Sequence, residues 1–556
     1  MPGHQGETRR TRAAQEWESP GYESPLPVTE KSNPLSRDID RAGPQQIVRV
    51  LQECDAEVFQ GDLQTDAEYK RLYSESVVQI LVNVAKRVKT ILKEPENSLI
   101  VLSGCGTSGR IAFLLSEAPE DSPSLGAQVL EETCAGKKHV LFIGISCGLS
   151  APFVAGQLDF CLNNLDIFTP VLIGFNPAHM ARAEPIQGWP HTLREVTERM
   201  LDLQRGQRAF VLNPVVGPEA ISGSSRMKGG TATKVLLESL LLLGHRAVHR
   251  HSEINHQAVL DCIRDYETVH EMTYSKTEEL ADVIGTAGIS LQNQGHVYYL
   301  GWKTLGIMGI IDASECIPTF GADFEDIRGF MSGGFSEMNN KEGDLSSLGP
   351  QFCIDQKDFL STILPNLGEN DTVIFIFTVD EDFADVEKLA GQVKSKTSNL
   401  QAICHEHGGC RFPVSEHCHT RLQWELSTKW ILNAISTGAH ILKGKVYKNY
   451  MIDLKVTNSK LYRRAIGMLQ RFTGCSWMQG ERALLRALYR VEELTEEMIT
   501  ADVSRHTQAA NASDKVVPTA LVVLQTGCSV SEAQAHLREG SVVRDAVEAC
   551  LTSGRH

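Results

Sequence analysis

Three short loops combine glycines with hydroxyl residues immediately before a helical stretch. They read GCGTSGR (104–110), SCGLSAPF (146–153) and GSSRMKGG (223–230). Glycine lets a backbone approach a ligand closely, and the free N–H groups at a helix N-terminus favour a negative charge. Serine and threonine hydroxyls supply further donors. We therefore predict that the three loops together bind an anion, and a phosphate monoester fits them best.

The alternative for each single loop is that its serine only caps a helix, because N-cap positions favour serine for that reason alone. Three such loops in one domain favour a binding site, since ligands of doubly wound sheets bind at the carboxyl ends of the strands. The sequence has neither GxxxxGK[ST] nor a GxGxxG followed by an acidic partner, so the pattern does not indicate a nucleotide-binding fold.

Continuous apolar stretches precede or separate these loops, and helical patterns lie between them. The stretches are SLIVLS (98–103), HVLFIGIS (139–146), PVLIGF (170–175) and AFVLNP (209–214). Apolar runs without alternation are typical of strands buried on both faces of a parallel sheet. We predict a doubly wound α/β domain.

The pattern repeats later in the chain. HVYYLGWKTLGIMGIIDASE (296–315) has the same order of strand, glycine loop and helix as SLIVLSGCGTSGRIAFLLSE (98–117). Such self-similarity predicts a duplicated domain. In the second copy, Leu305 stands where the first has Ser108, and Trp302 adds bulk. We expect only the first copy to bind the anion.

Five regions follow from these patterns. We predict a disordered tail over 1–30, because it is polar and lacks periodicity. The remaining regions are a helical lead-in (31–95), a first α/β domain (96–253), a second (254–446) and a C-terminal all-α domain (447–556). In the last region, Ser529 followed by Glu532 predicts a capping box.

Composition excludes several partners and cofactors. The net charge of -15 argues against nucleic acid or an anionic membrane. No run reaches the roughly 18 apolar residues of a membrane span, and the N-terminus has no signal core. The fourteen cysteines then indicate reduced thiols. The Cys/His tract 404–419 has irregular spacing for zinc, so we interpret it as a surface loop, with zinc as the alternative. We expect no metal and no cofactor.

The motifs resemble a known family. GTSGR, GISCGLSAPF and GSSRMKGGTATK look like signatures of the sugar isomerase (SIS) domain. TEKSNPLSRDID (29–40), ECIPTFG (315–321) and ISTGAHILKGKVYKNYMIDLKVTNSKL (435–461) are similar to the N-acetylmuramic acid 6-phosphate etherase branch. Two copies in one chain, with ADFEDIRGF and C-terminal helices, resemble the branch that regulates glucokinase. The resemblance implies two tandem doubly wound parallel-sheet SIS domains with a C-terminal all-α domain.

The same resemblance implies a function and a site. The function is non-catalytic inhibition of glucokinase, a hexokinase, modulated by fructose 6-phosphate and fructose 1-phosphate, in the cytoplasm and nucleus. Glu315 would meet sugar hydroxyls and Lys460 would close over the site. The full set of implied ligand-binding residues is Gly106, Thr107, Ser108, Ser146, Cys147, Gly148, Ser224, Ser225, Arg226, Glu315 and Lys460.

Two rival functions stay open. An etherase or isomerase would use the same loops for its substrate, and a scaffold would leave them empty. The chain also departs from the family, because only 111–135 separates the first loop from GKKHVLFIGIS, where a further strand and a glutamate-rich turn are expected. A β-α-β-α-β passage needs roughly 60 residues. We therefore predict that one edge strand, and the etherase acid with it, is absent, and that an apolar segment before Glu425 is absent too.

Overall fold

The computed structural model describes residues 16–19, 21–61, 69–104, 122–186, 188–338, 342–381, 383–406, 417–456, 459–510, 513–540 and 542–553. The chain divides into two compact units. The first contains 1–36, 49–276 and 408–431, and the second contains 37–48, 277–407 and 432–556. Helix α1 (Pro44–Ala56) begins in residues of the second unit and ends in residues of the first.

The first unit holds a four-stranded parallel sheet in the order β1-β2-β3-β4. All four predicted strands are confirmed, because each is the continuous apolar run that a sheet covered on both faces requires. Its elements after α1 are α2 (Glu75–Lys93), β1 (Ser98–Gly104), α3 (Pro123–Thr133), β2 (His139–Ile145), α4 (Pro152–Asn163), β3 (Phe168–Ile173), α5 (Leu193–Gln204), β4 (Phe210–Leu212), α6 (Lys228–His249) and α7 (His256–Tyr274).

Helices α3 and α4 cross at two glycines. A Cβ on Gly126 would lie 2.2 Å from the carbonyl oxygen of Phe153, and one on Gly156 would lie 2.0 Å from that of Pro123. No other residue fits either position, because real Cβ atoms never approach backbone so closely. This crossing fixes the first turn of α4, directly after the SCGLSAPF loop.

The second unit holds a second four-stranded parallel sheet, in the order β6-β5-β7-β8. Strand β5 carries the repeated motif and is flanked on both sides. Its elements are α8 (Thr277–Gln292), β5 (Val297–Gly301), α9 (Lys303–Phe320), β6 (Ile327–Met331), a short helical segment (Gln356–Asp358), β7 (Thr372–Thr378), α10 (Phe383–Lys394), β8 (Leu400–His405), α11 (His417–Leu442), which begins in residues of the first unit, and the hairpin β9 (Val446–Tyr447) and β10 (Tyr450–Met451).

Comparison of the two sheets bears on the predicted loss of a strand. Strand β1 corresponds to β5, yet within the described ranges nothing pairs with β1 on the side where β6 pairs with β5. Residues 99–104 of β1 are only half-buried, whereas β2 is buried along nearly its whole length. Over the described residues, the first sheet therefore ends at β1, and because 105–121 lie outside those residues, the loss of a strand stays a prediction.

The C-terminal region is all-helical, as predicted, and packs around its own apolar core. One half of the predicted capping box is present, because the Ser529 hydroxyl accepts a hydrogen bond from the Glu532 N–H (3.1 Å). In the described part of the chain no single helix is long and apolar enough to cross a membrane. One bent pair of helices, Val516–Thr526 and Val530–Glu539, has the length and composition to do so. The helices are α12 (Ser459–Thr473), α13 (Trp477–Tyr489), α14 (Glu496–Thr500), α15 (Val503–Ala510), α16 (Val516–Thr526), α17 (Val530–Glu539) and α18 (Val543–Ser553).

The expectation that residues 1–30 are disordered is wrong for 16–19 and 21–30. Trp17 is completely buried and forms a small core with Val28, Tyr69 and Val215. Its ring stacks on Tyr69 with centroids 5.7 Å apart. One tryptophan buries enough apolar area to order a polar segment that has no hydrophobic periodicity of its own.

Candidate functional site

The loop after β2 begins with Ser146, whose hydroxyl holds the two residues that precede helix α4. It accepts hydrogen bonds from the N–H groups of Ser150 (2.9 Å) and Ala151 (3.1 Å). Because the hydroxyl uses its lone pairs for this, its own hydrogen remains for an acceptor such as a phosphate oxygen. Ser146 thus lies in the loop that leads into α4, near its N-terminus, and its contact with an anion stays a prediction.

The buried side chain of Asn176 holds the turn Cys147–Gly148 in place. Its amide nitrogen donates to the carbonyl oxygen of Gly148 (3.0 Å). The neighbouring N–H of Phe175 donates to the carbonyl oxygen of Cys147 (2.8 Å). Both carbonyls of the turn are therefore engaged by protein donors, which fixes the orientation of its peptide groups.

The loop before α6 and the first turn of that helix present hydroxyl groups inside the protein. Ser222, Ser224 and Thr231 are buried, and among the described residues their hydroxyl oxygens have no hydrogen-bond partner. Ser225 is half-buried. A buried hydroxyl without a partner is unfavourable by about 1–3 kcal/mol, so these groups are suited to a polar ligand.

Two of the loops meet at Gly229. A Cβ there would lie 3.3 Å from Sγ of Cys147 and 3.5 Å from Cβ of Ser225. Arg226 is almost fully buried beside them, and its carbonyl oxygen accepts from the ammonium of Lys429 (2.8 Å). The structure thus brings together the predicted loops 146–148 and 224–226.

Glu219 belongs to no short sequence motif, and its position corrects one part of the prediction. Its carboxylate accepts hydrogen bonds from the N–H groups of Lys228 (2.8 Å) and Gly229 (2.9 Å), the first two of α6. These N–H groups were expected to face the anion. Burial raises the pKa of Glu219 to about 7, while its backbone hydrogen bonds lower it. A cap nine residues before the helix has no sequence signal, since a capping box spans only three.

A buried ion pair lies under the same loop. The Lys228 ammonium is 2.6 Å from Oε2 of Glu57, and both side chains are at most 1% exposed. The ammonium also donates to the carbonyl oxygen of Pro218 (3.0 Å). Nearby, Asp55 accepts from the Tyr274 hydroxyl (2.7 Å), and burial raises the pKa of Asp55 to about 6.

The other predicted site residues divide into two groups. Gly106, Thr107 and Ser108 lie outside the described residues, as does the side chain of Lys460 at the start of α12. Glu315 is buried in α9 of the second unit, at 2% exposure.

The corresponding loop of the second copy is filled by apolar groups. Trp302 packs against Phe375 and Phe377, with ring centroids 5.6 and 5.9 Å away. Leu305 is buried, and a Cβ on Gly306 would lie 2.6 Å from Cβ of Met331. This environment has no hydroxyl at position 305 and agrees with the expectation that the second copy does not bind phosphate.

No group of three or more His, Cys, Asp or Glu within the described ranges could hold a metal ion. Of the Cys/His tract 404–419, residues 407–416 and the side chains of 417–419 lie outside those ranges. Both interpretations of the tract therefore stay predictions.

Comparison with known proteins gives three matching family models. Their descriptions are the N-terminal SIS domain of glucokinase regulatory protein (83–118 and 115–162), its second SIS domain (274–418) and its C-terminal lid domain (448–547). The predicted architecture of two tandem SIS domains with parallel sheets, followed by a helical domain, is confirmed.

Curated relatives agree with these models. Glucokinase regulatory protein of Xenopus laevis is 46% identical over 587 residues, covering 96% of this chain and 95% of its own length. The Homo sapiens protein is also 46% identical and covers 96% and 94%. N-acetylmuramic acid 6-phosphate etherase of Lactococcus lactis subsp. lactis (strain IL1403) is 33% identical and covers 37% and 71%.

The matches also bear on the predicted missing segments. The 587 aligned positions exceed the 556 residues of the chain, so the relative contains segments that this chain lacks. The N-terminal SIS model matches in two pieces that overlap at 115–118. The split at 115–118 supports a missing segment between β1 and α3, whereas the alignment length alone gives no position. The second, before Glu425, stays a prediction.

Proposed function

The chain belongs to the glucokinase regulatory protein family, and from this membership we propose that it is a non-catalytic regulator that binds and inhibits glucokinase. We further propose that fructose 6-phosphate and fructose 1-phosphate bind at the first SIS domain and modulate the inhibition. The identity of 46% across 96% of the chain is the observation that carries this proposal. Action in the cytoplasm and nucleus is part of the same proposal.

The geometry of the first SIS domain supports a phosphate ligand. Buried hydroxyls of Ser222, Ser224 and Thr231 lack partners among the described residues, and the Ser146 hydroxyl keeps its hydrogen to donate. A phosphate monoester offers several acceptor oxygens at once, which is what a cluster of hydroxyl donors can satisfy.

The rival function is a sugar-phosphate etherase or isomerase. Chemistry of that kind needs an acid or base that can exchange a proton with the substrate. Glu219 is a buried carboxylate in contact with the second loop, but it already accepts hydrogen bonds from two backbone N–H groups. The enzyme hypothesis predicts turnover of N-acetylmuramic acid 6-phosphate or fructose 6-phosphate, whereas we expect no turnover of either.

The measurement is product formation at increasing protein concentration. Product that increases with the protein concentration and disappears in Ser108→Ala would contradict the proposal.

The proposed partner is tested by titrating glucokinase activity with this chain, with and without each fructose phosphate. We expect inhibition that responds to the sugar phosphate. Because we predict that two segments are missing, we expect the inhibition to be weak, and to recover in a version with both segments restored, since a few buried apolar anchors carry most interface energy. Equally tight inhibition by both versions would place the interface elsewhere.

The proposed site is tested by a matched pair of substitutions. Ser108→Ala in the first copy should weaken fructose 6-phosphate binding by about 1–3 kcal/mol, the effect of losing a hydrogen bond to a charged acceptor. Leu305→Ala at the corresponding position of the second copy should change affinity far less. Equal losses, measured by calorimetry, would contradict the view that only the first copy binds.

A further inference from the structure

The motif TEKSNPLSRDID has no role in the site as described so far, yet its first part lies against both anion loops. We call residues 28–36 the strap. Thr29, Lys31, Ser32, Asn33 and Ser36 in it are polar and at most 9% exposed. A short polar segment is buried this completely only when its groups have specific partners. Those partners show what the strap does.

One end of the strap binds the support of the Cys147–Gly148 turn. The Thr29 N–H donates to Oδ1 of Asn176 (3.0 Å), and the Thr29 hydroxyl accepts from its Nδ2 (2.9 Å). The same Nδ2 holds the carbonyl oxygen of Gly148 (3.0 Å). A Cβ on Gly148 would lie 3.6 Å from the Thr29 hydroxyl, so strap and turn are in direct contact.

The other end of the strap binds the segment that leads into the second loop. The Asn33 amide nitrogen donates to the carbonyl oxygen of Pro218 (2.9 Å) and to Oε2 of Glu57 (2.7 Å). The Ser36 hydroxyl donates to the carbonyl oxygen of Ala220 (2.6 Å). Pro218 and Ala220 directly precede the hydroxyl groups of 222–224.

At both ends of the strap, donors engage backbone carbonyls in or directly before a loop. Asn176, which Thr29 binds, donates to the carbonyl oxygen of Gly148. Asn33 and Ser36 donate to the carbonyl oxygens of Pro218 and Ala220, which precede the second loop. A carbonyl oxygen repels a phosphate oxygen, whereas the hydroxyl and N–H groups of the same loops attract it. Fixing the carbonyls on protein donors therefore keeps the loops in a conformation that offers donors to an anion, before any anion is present.

We propose that the strap positions the two loops for the anion, so that Thr29 and Asn33 set the affinity for sugar phosphate without touching it. This inference rests on the proposed sugar-phosphate site. Because coupling is reciprocal, a bound anion must in turn stabilise the strap. Thr29 and Asn33 are thus positioning residues.

The test compares fructose 6-phosphate binding by the full chain and by three variants, using calorimetry. Thr29→Val removes the acceptor for Asn176 at nearly constant volume, and should weaken binding about tenfold. Thr29→Ser keeps the hydroxyl and should restore affinity to within about twofold. The matched control is Thr197→Val, since Thr197 is also buried in the first unit but donates to the carbonyl oxygen of Leu193 in its own helix (2.8 Å). It should leave affinity unchanged.

Hydrogen exchange supplies a readout that a purely structural role would not move. Adding fructose 6-phosphate should slow exchange of the Thr29 and Leu35 amides in the unsubstituted chain and not in Thr29→Val. Two outcomes would overturn the strap's role alone. One is that Thr29→Val binds fructose 6-phosphate as tightly as the unsubstituted chain does. The other is that the unsubstituted chain binds it but Thr29→Ser does not restore the affinity lost in Thr29→Val. No binding by the unsubstituted chain would overturn the proposed function and the strap's role together.

Discussion

Lys228→Met should destabilise the first unit strongly. The substitution removes a fully buried ammonium 2.6 Å from Oε2 of Glu57. At an effective dielectric constant of about 20, the attraction over that distance is about 6 kcal/mol. Desolvation of the two charges offsets part of it, and breaking one side of such a pair costs about 3–5 kcal/mol. Glu57 still accepts hydrogen bonds from Asn33 (2.7 Å) and Trp17 (3.4 Å) in this variant. We therefore expect Lys228→Met to lower the free energy of unfolding of the first unit by about 3 kcal/mol.

The assay is urea unfolding followed by circular dichroism and tryptophan fluorescence, with the transition of the first unit fitted separately. The double variant Lys228→Met with Glu57→Gln removes both charges and should recover part of the loss. The control is Arg264→Met, because Arg264 and Asp261 form an exposed pair (3.5 Å) whose loss should change stability by less than about 0.5 kcal/mol.

Two outcomes would refute this reasoning. One is a loss for Lys228→Met no larger than that for Arg264→Met, which would mean that the buried attraction and its desolvation cancel. The other is a double variant no more stable than Lys228→Met, which would mean that the uncompensated charge of Glu57 is not the source of the instability.

Three further predictions concern the same unit. Burial raises the pKa of Glu219 from 4.5 to about 7, so between these values the folded state holds a proton that the unfolded state has released. The free energy of unfolding therefore falls as pH rises through this window, because the folded protein must give up the proton on Glu219. Glu219→Gln removes this titration and should flatten the decline in thermal stability between pH 5 and 7. Ser146→Ala should lower the urea-derived free energy of unfolding by about 1 kcal/mol and weaken fructose 6-phosphate binding, because its hydroxyl accepts two backbone hydrogen bonds; unchanged values would contradict that role. Restoring the segment missing after β1 should raise the temperature at which light scattering reports aggregation, because a paired β1 no longer presents a free edge.

Strands could be predicted from the sequence because the sheet imposes one strong pattern. A strand covered on both faces must be continuously apolar, and the interval 98–103 matches β1 to within one residue. The loss of a strand is predicted on chain length alone, since 111–135 is too short for the expected passage, and it stays a prediction. Helices α15 and α16 were not identified. Helix α16 is buried over its first eight residues, so its sequence VVPTALVVLQT has no amphipathic stripe.

The site was predictable only where chemistry and sequence position coincide. Ser146 precedes Gly148 and Ser224 follows Gly223, each in a short loop before a helix, and local spacing is enough to find them. Glu219 and Glu57 are different, because each acts on a group far away in the sequence and neither belongs to a short-range motif. Trp17 is similar: nothing in a polar segment indicates that one aromatic side chain will be enclosed.

The strap also has a consequence for the order in which this protein is made. Thr29 meets Asn176 across 147 residues, and Ser36 meets Ala220 across 184. At a synthesis rate of about 5–20 residues per second, the strap leaves the ribosome roughly 10 to 40 s before its last partner exists. During that interval its polar groups have only water or a chaperone to bind. The first SIS domain can therefore complete its anion site only after about residue 230 has emerged, and an N-terminal truncation would leave the loops without their support for the lifetime of the molecule.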